Sequence, residues 1–149
     1  MIFFGISFLY GATGSTFLPN IINNLQKIEL LDNPLLVSAL GLIVIGLSFK
    51  IAIVPFHMWT PDVYSGAPTP ITGFLSAASK AASFAILLRI LLTGIPLEDG
   101  NWKNLMWILA VLTMSLGNLM ALRQNNIKRM LAYSSIAHAG YVLIAVVTG

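Results

Sequence analysis

The sequence predicts an all-α fold, a polytopic bundle of transmembrane helices, and three observations carry that expectation. Hydrophobic residues make up 57% of the chain and charged residues only 9%, where soluble domains carry about 25% charged. Mean hydropathy is +0.86. The apolar residues gather in runs close to the length of about 20 that a spanning helix needs, and they lack the polar/apolar alternation of a membrane β-strand. A soluble chain of 149 residues could not bury so much apolar surface in one core. The expected setting is a lipid bilayer, with the protein crossing it several times.

The elements follow in order along a single membrane domain, 1–149. A first apolar segment covers about 1–12, short for a span. It has no basic leader and no small-residue cleavage pattern, so it does not read as a signal peptide. Hydrophobic segments cut short at both ends read as a fragment of a larger subunit. The polar stretch Thr13–Asn33 holds Ile21, Ile22, Leu25 and Ile28 at helical spacing, which suits a short interfacial helix. A second span covers 35–54, opened by Pro34 and broken at Pro55. The stretch Pro55–Pro70 carries Pro55, Pro61, Gly66, Pro68 and Pro70, too much punctuation for one regular helix. Further spans cover 71–92, 102–122 and 130–147, joined by loops at Gly94–Asn101 and Arg123–Arg129. The loops Met58–Thr69 and Arg123–Arg129 fall on one side. The cluster Arg123, Lys128 and Arg129 places that side in the cytoplasm.

Composition excludes several kinds of chemistry. Cysteine is absent, which removes disulfides, thiolate catalysis, iron–sulfur ligation and Cys-based zinc sites. Two histidines without an acidic pair form no convincing metal cluster. The formal net charge of +3 is ordinary for a membrane protein, and no basic cluster with interleaved aromatics suggests nucleic acid.

The chemistry is expected at two lysines inside apolar runs. A charged group deep in a bilayer costs several kcal/mol, so ionisable residues there mark function by default. Lysine is also the cation that gives up its proton most readily on desolvation. Lys80 lies about 15 Å into its span at the helical rise. Thr72, Ser76, Ser79, Lys80 and Ser83 share one helical face, with Gly73, Ala77, Ala78, Ala81 and Ala82 keeping the helix narrow. That stripe reads as a hydrated internal face lined by Ser76, Ser79 and Ser83; the bland alternative is a static ion pair or a snorkelling amine. Lys50 stands one turn before the break, as a titrating relay or as a partner for freed carbonyls. His57 lies beyond the break, and His138 sits mid-span with Ser134, Ser135 and Tyr141 on its face. Histidine passes protons through either ring nitrogen; each is equally readable as a packed, hydrogen-bonded residue. Both lysines are expected to be buried. All the acids, Glu29, Asp32, Asp62, Glu98 and Asp99, fall in expected loops, so an intramembrane counter-charge has to come from elsewhere. Asp62 reads as a turn or cap carboxylate, and Trp102 and Trp107 as an interfacial belt.

The residues also carry a resemblance. Phe49-Lys50, the run Val54-Pro55-Phe56-His57-Met58-Trp59-Thr60-Pro61-Asp62-Val63-Tyr64, Gly66-Ala67-Pro68-Thr69-Pro70 and Ser79-Lys80 resemble the antiporter-like membrane subunits of respiratory complex I. Gly117-Asn118-Leu119-Met120, Asn126-Ile127-Lys128-Arg129-Met130 and Ala132-Tyr133-Ser134-Ser135-Ile136-Ala137-His138-Ala139-Gly140-Tyr141 narrow it to the NADH-quinone oxidoreductase subunit N (subunit 2) family. The resemblance implies about fourteen membrane helices in two inverted repeats, this chain matching the end of the sixth through most of the tenth. It implies that Lys50 is the lysine before the seventh-helix break and Lys80 the eighth-helix lysine. His57 would be the histidine past the break and His138 the tenth-helix histidine. The fifth-helix acid and twelfth-helix basic residue have no counterpart here.

The expected function is therefore proton translocation coupled to electron transfer from NADH to quinone, in a bacterial plasma membrane or an equivalent energy-transducing membrane. NADH and quinone would be used by the parent complex, with no cofactor and no redox chemistry on this chain. Its partners would be the other membrane and peripheral subunits. Two alternatives stand beside it: a subunit of a multi-subunit cation/proton antiporter, which shares the proline-rich motif, and a purely structural membrane subunit.

Overall fold

The computed structural model describes residues 1–27, 33–94 and 100–148. The described residues form helices and turns: α1 (Ile2–Thr13), α2 (Leu18–Lys27), α3 (Pro34–Ile51), α4 (Trp59–Gly66), α5 (Thr69–Phe74), a π-helical turn (Leu75–Ser79), α6 (Lys80–Gly94), α7 (Gly100–Leu122) and α8 (Ile127–Thr148). Four stretches are long and apolar enough to cross a membrane: Pro34–Ile51, Thr69–Leu91, Trp102–Leu122 and Ile127–Thr148. The expected loop acids Glu29, Asp32, Glu98 and Asp99 lie outside the described residues, as does Ile28 of the expected interfacial helix.

The chain divides into two compact units, Met1–Leu47 with Ile86–Pro96, and Ser48–Ala85 with Leu97–Gly149. In the first unit, α1 meets α3 closely at Gly5, where an added Cβ would lie 2.6 Å from Ile43 Cγ1. The Asn24 side-chain amide of α2 donates to the Thr13 carbonyl at the end of α1 (3.1 Å). Along α3 the buried residues Leu36, Leu40, Ile43 and Leu47 recur at helical spacing.

In the second unit, α7 runs along α8. The buried face of α8 is Ala132, Tyr133, Ile136, Ala137, Ala139, Gly140, Leu143 and Val146. Facing it, α7 buries Met106, Ala110, Thr113 and Gly117. Small residues dominate the contact, as expected where close approach rather than hydrophobic force holds helices together in lipid. An added Cβ on Gly117 would lie 2.8 Å from Ala137 N, and one on Gly140 2.8 Å from Met114 N.

The break after α3 has a defined structure. The helix ends at Ile51 rather than at 54, because Ala52 turns left-handed, at φ 68°. The Ile53 N–H donates back to the Ser48 carbonyl (2.9 Å) and the Ala52 N–H to the Phe49 carbonyl (3.2 Å). This paired closure is the Schellman ending, usually built on glycine. Pro55 stands beyond it, where proline commonly follows a helix end, and the Val54–Pro55 peptide is cis. The Trp59 indole N–H donates to the same Phe49 carbonyl (2.9 Å), and the two rings stack with centroids 5.6 Å apart. The buried Val54 N–H donates to Thr113 Oγ1 (3.1 Å), whose own proton goes to the Leu109 carbonyl (2.6 Å). Ala52 and Val54 then pack with Tyr133 and Ile136 of α8.

Two expectations about the following stretch are corrected. The proline-rich stretch is not one regular helix, as expected, but its middle, Trp59–Gly66, folds into the short helix α4, with Asp62 in its first turn rather than in a loop. The next helix starts at Thr69, not after Pro70, with Pro70 inside its first turn, where a missing N–H is harmless.

Candidate functional site

Lys80 follows directly on the π-helical turn Leu75–Ser79. Such turns insert an extra residue per turn and recur at functional positions. The turn changes the register of the polar stripe that regular spacing predicts. Lys80 is buried, 6% exposed. Its ammonium donates to two atoms of one residue on α8, Ser135 Oγ (2.8 Å) and Ser135 O (3.0 Å). Among the described residues no carboxylate pairs with it.

A cavity of about 650 Å³ opens beside this contact, in the range of ordinary ligand or solvent sites. Thr72, Ser76 and Lys80 line it from one side, and Lys128, Ser134, Ser135 and His138 from α8. Its remaining wall includes Phe84, Leu131 and Val142. Polar groups from both sides thus converge on a chamber whose walls are otherwise apolar.

The structure distributes the expected site residues unevenly. Lys80, Ser76 and His138 share the cavity wall. Ser79 and Ser83 do not line it: the Ser83 hydroxyl is buried and donates to the Ser79 carbonyl (2.8 Å). His138 is exposed on this chain, with its ring 6.1 Å from that of Tyr141. Lys50 departs from the expected burial. It occupies the last turn of α3 with its side chain exposed, because Leu47, Ser48 and Ile51 take the inward positions. Of the carbonyls freed at the helix end, those of Ser48 and Phe49 are taken by Ile53, Ala52 and Trp59 rather than by the Lys50 amine.

His57 lies between α3 and α4, buried at 8% exposure, and its Nδ1 has no hydrogen-bond partner among the described residues. Burial lowers the pKa of its imidazole below the ordinary value of 6.5, which favours the neutral ring at pH 7. Thr60 Oγ1 and Tyr64 Oη are likewise buried, with no hydrogen-bond partner among the described residues. Burial raises the Tyr64 pKa and keeps it a neutral phenol. Sequence reasoning did not single out Thr60 or Tyr64, whose buried polar atoms carry no local sequence signal. It also named Ser135 only as a neighbour of His138, not as the partner of Lys80.

The loops expected on one side do meet. Arg129 at the start of α8 pairs with Asp62 of α4 at 2.9 Å, with the side chains 40% and 68% exposed. Among the described residues no group of His, Cys, Asp and Glu could hold a metal ion.

Four helices long and apolar enough to span a bilayer, one of them ending at a sharp break, define an integral, multi-pass membrane protein. The family described as "NADH:quinone oxidoreductase/Mrp antiporter, TM" matches residues 1–149, and the chain belongs to it. Among similar proteins, the NADH-quinone oxidoreductase subunit N of Trichlorobacter lovleyi is 53% identical over 146 residues, 98% of this chain and 30% of the relative. That of Heliobacterium modesticaldum is 50% identical over 149 residues, 99% of this chain and 30% of the relative. The chain therefore spans about a third of the length of these curated relatives. Of solved structures, respiratory complex I from Thermus thermophilus with bound Aureothin matches at TM-score 0.76 and 46% identity, over 97% of this chain and 30% of that chain. The archaeal membrane-bound sulfane sulfur reductase matches at TM-score 0.83 and 34% identity, over 97% and 29%. The Mrp complex of Dietzia sp. matches at TM-score 0.85 and 23% identity, over 98% and 26%, a likeness of fold.

Proposed function

We propose that this chain forms part of a proton-translocating membrane subunit of NADH-quinone oxidoreductase, coupling electron transfer from NADH to quinone to proton movement. The names of its relatives support the reading. The observation that carries it is Lys80: a buried ammonium held by neutral acceptors of α8 on the wall of a partly polar cavity. Such a group changes protonation state when nearby charge shifts. A positive charge approaching lowers a lysine's proton affinity and an acid approaching raises it, about 1.4 kcal/mol for each pKa unit. Redox energy released in other subunits would shift those fields and so load and unload Lys80. Ser76 and His138 share its cavity, and His57, Ser79, Ser83 and the exposed Lys50 extend the proposed path. Lys50 would face another segment or subunit. NADH and quinone would be used elsewhere in the complex, and the partners would be its other membrane and peripheral subunits.

The test places Lys80→Ala and Lys50→Ala separately in the native complex. Loss of proton pumping with an assembled complex is the expected result. Unchanged pumping and unchanged coupled quinone reduction in both variants refute the relay. The family also covers Mrp antiporters; sodium-dependent proton exchange without redox partners would favour that second reading.

A further inference from the structure

Two hydroxyls of the cavity wall, Ser76 and Thr72, donate to nearby backbone carbonyls, as does Ser83 beside it. Ser76 donates to the Gly73 carbonyl (2.9 Å), Ser83 to Ser79 (2.8 Å) and Thr72 to Pro68 (3.3 Å) or Tyr64 (3.2 Å). Ser135 differs. An ammonium can only donate, so Ser135 Oγ accepts from Lys80. The hydroxyl proton of Ser135 meets no protein acceptor among the described residues, and Ser135 stands on the cavity wall.

We propose that Ser135 is the positioning residue for Lys80, a hydroxyl that holds Nζ in place in both of its protonation states. This rests on the proposed role of Lys80 in proton transfer. With Lys80 charged, Nζ–H donates to Oγ and to the Ser135 carbonyl. When an Nζ–H bond breaks, its proton passes to an acceptor in the cavity, water or the His138 imidazole, and the electron pair stays on nitrogen as a lone pair. The neutral amine still donates to the carbonyl, and the Ser135 O–H turns to donate to the new lone pair. A carbonyl cannot make that second contact, because it only accepts. The hydroxyl therefore keeps the amine aimed at the same point of the cavity whether it has a proton to give or a place to receive one. No atom is oxidised or reduced, and the hydroxyl's own O–H bond is retained.

The test compares Ser135→Ala, Ser135→Thr and Ser135→Cys in the native complex, with Lys80→Ala as reference and pumping rate normalised to assembled complex. Ser135→Ala is expected to slow pumping about tenfold, the loss of one hydrogen bond to a charged group expressed as a rate. Ser135→Thr, which keeps the hydroxyl, is expected to restore most of it. Should Ser135→Ala fail to assemble, Ser135→Cys keeps the volume with a weak donor, and is expected to be slow beside Ser135→Thr. Wild-type pumping in Ser135→Ala or Ser135→Cys, or no rescue by Ser135→Thr, overturns the proposal. If Lys80→Ala abolishes pumping while Ser135→Ala leaves it intact, only the positioning role falls. If Lys80→Ala also pumps normally, the underlying reading falls with it.

Discussion

A methyl group on Gly140 would strike the backbone that sets the position of α8. The new Cβ would sit 2.6 Å from Met114 Cγ, 2.8 Å from Met114 N and 3.1 Å from Ala110 O. The Met114 side chain is flexible and can move aside. Its backbone nitrogen cannot, and ordinary contact begins at 3.4 Å. The two helices must therefore separate by about 0.6 Å along that contact. A gap of that size forfeits a quarter or more of the dispersion energy of neighbouring atom pairs. Overpacking of this kind costs about 1–3 kcal/mol. The assay is the thermal unfolding midpoint of the detergent-solubilised protein. Gly140→Ala is expected to lower it, and Gly117→Ala, facing Ala137 N at 2.8 Å, to lower it similarly. Gly41, with nothing within 4 Å, supplies the control; there alanine is expected to be neutral or to stabilise by up to about 1 kcal/mol. If Gly140→Ala and Gly117→Ala both melt with the unsubstituted protein, the packing argument for α7 and α8 is wrong.

The break offers sharper perturbations. Thr113→Val leaves the buried Val54 N–H without its acceptor and is expected to destabilise by about 1–3 kcal/mol, while Thr113→Ser is nearly silent; equal melting of the two would refute the assignment. Ala52→Val puts a β-branched residue at φ 68°, a conformation such residues avoid, and is expected to lower stability by about 1–2 kcal/mol in the same melting assay. Asp62→Asn breaks an ion pair with side chains 40% and 68% exposed, so it should change stability by less than about 1 kcal/mol; a larger effect, insensitive to salt, would contradict a surface pair.

The apolar runs made the long helices legible, and Pro34 marked the start of α3 as helix-opening residues do. The interruption near Pro55 was visible too, since proline cannot donate to the ladder. Its form was not. Alanine gives no local sign of a left-handed helix ending, and Ala52 adopts one because Ser48, Phe49, Trp59 and Thr113 together satisfy the freed groups. The helix α4 was hidden because a proline in a first turn looks, in sequence, like a proline in a loop. Regular spacing placed Ser76, Ser79, Lys80 and Ser83 on one stripe; the π-helical turn changes that register, and its run Leu75–Ser79 carries no residue type that announces it. The burial of Lys80 was legible from the run around it, whereas its Ser135 partner lies 55 residues away, beyond the reach of local pattern. Lys50 sits in a run that is more hydrophobic still, mean hydropathy 2.1 against 1.6, yet points outward, because hydropathy does not report which face a helix turns to its neighbours.

Proton transfer at Lys80 requires that its amine meet water inside the assembled complex. A map of the assembled complex fine enough to show ordered water measures this directly. The expected result is a file of waters in the cavity joining the Lys80 amine and the Ser135 hydroxyl to His138. A dry chamber packed solid with lipid tails or side chains around Lys80, or an amine swung out to the headgroups, would contradict it.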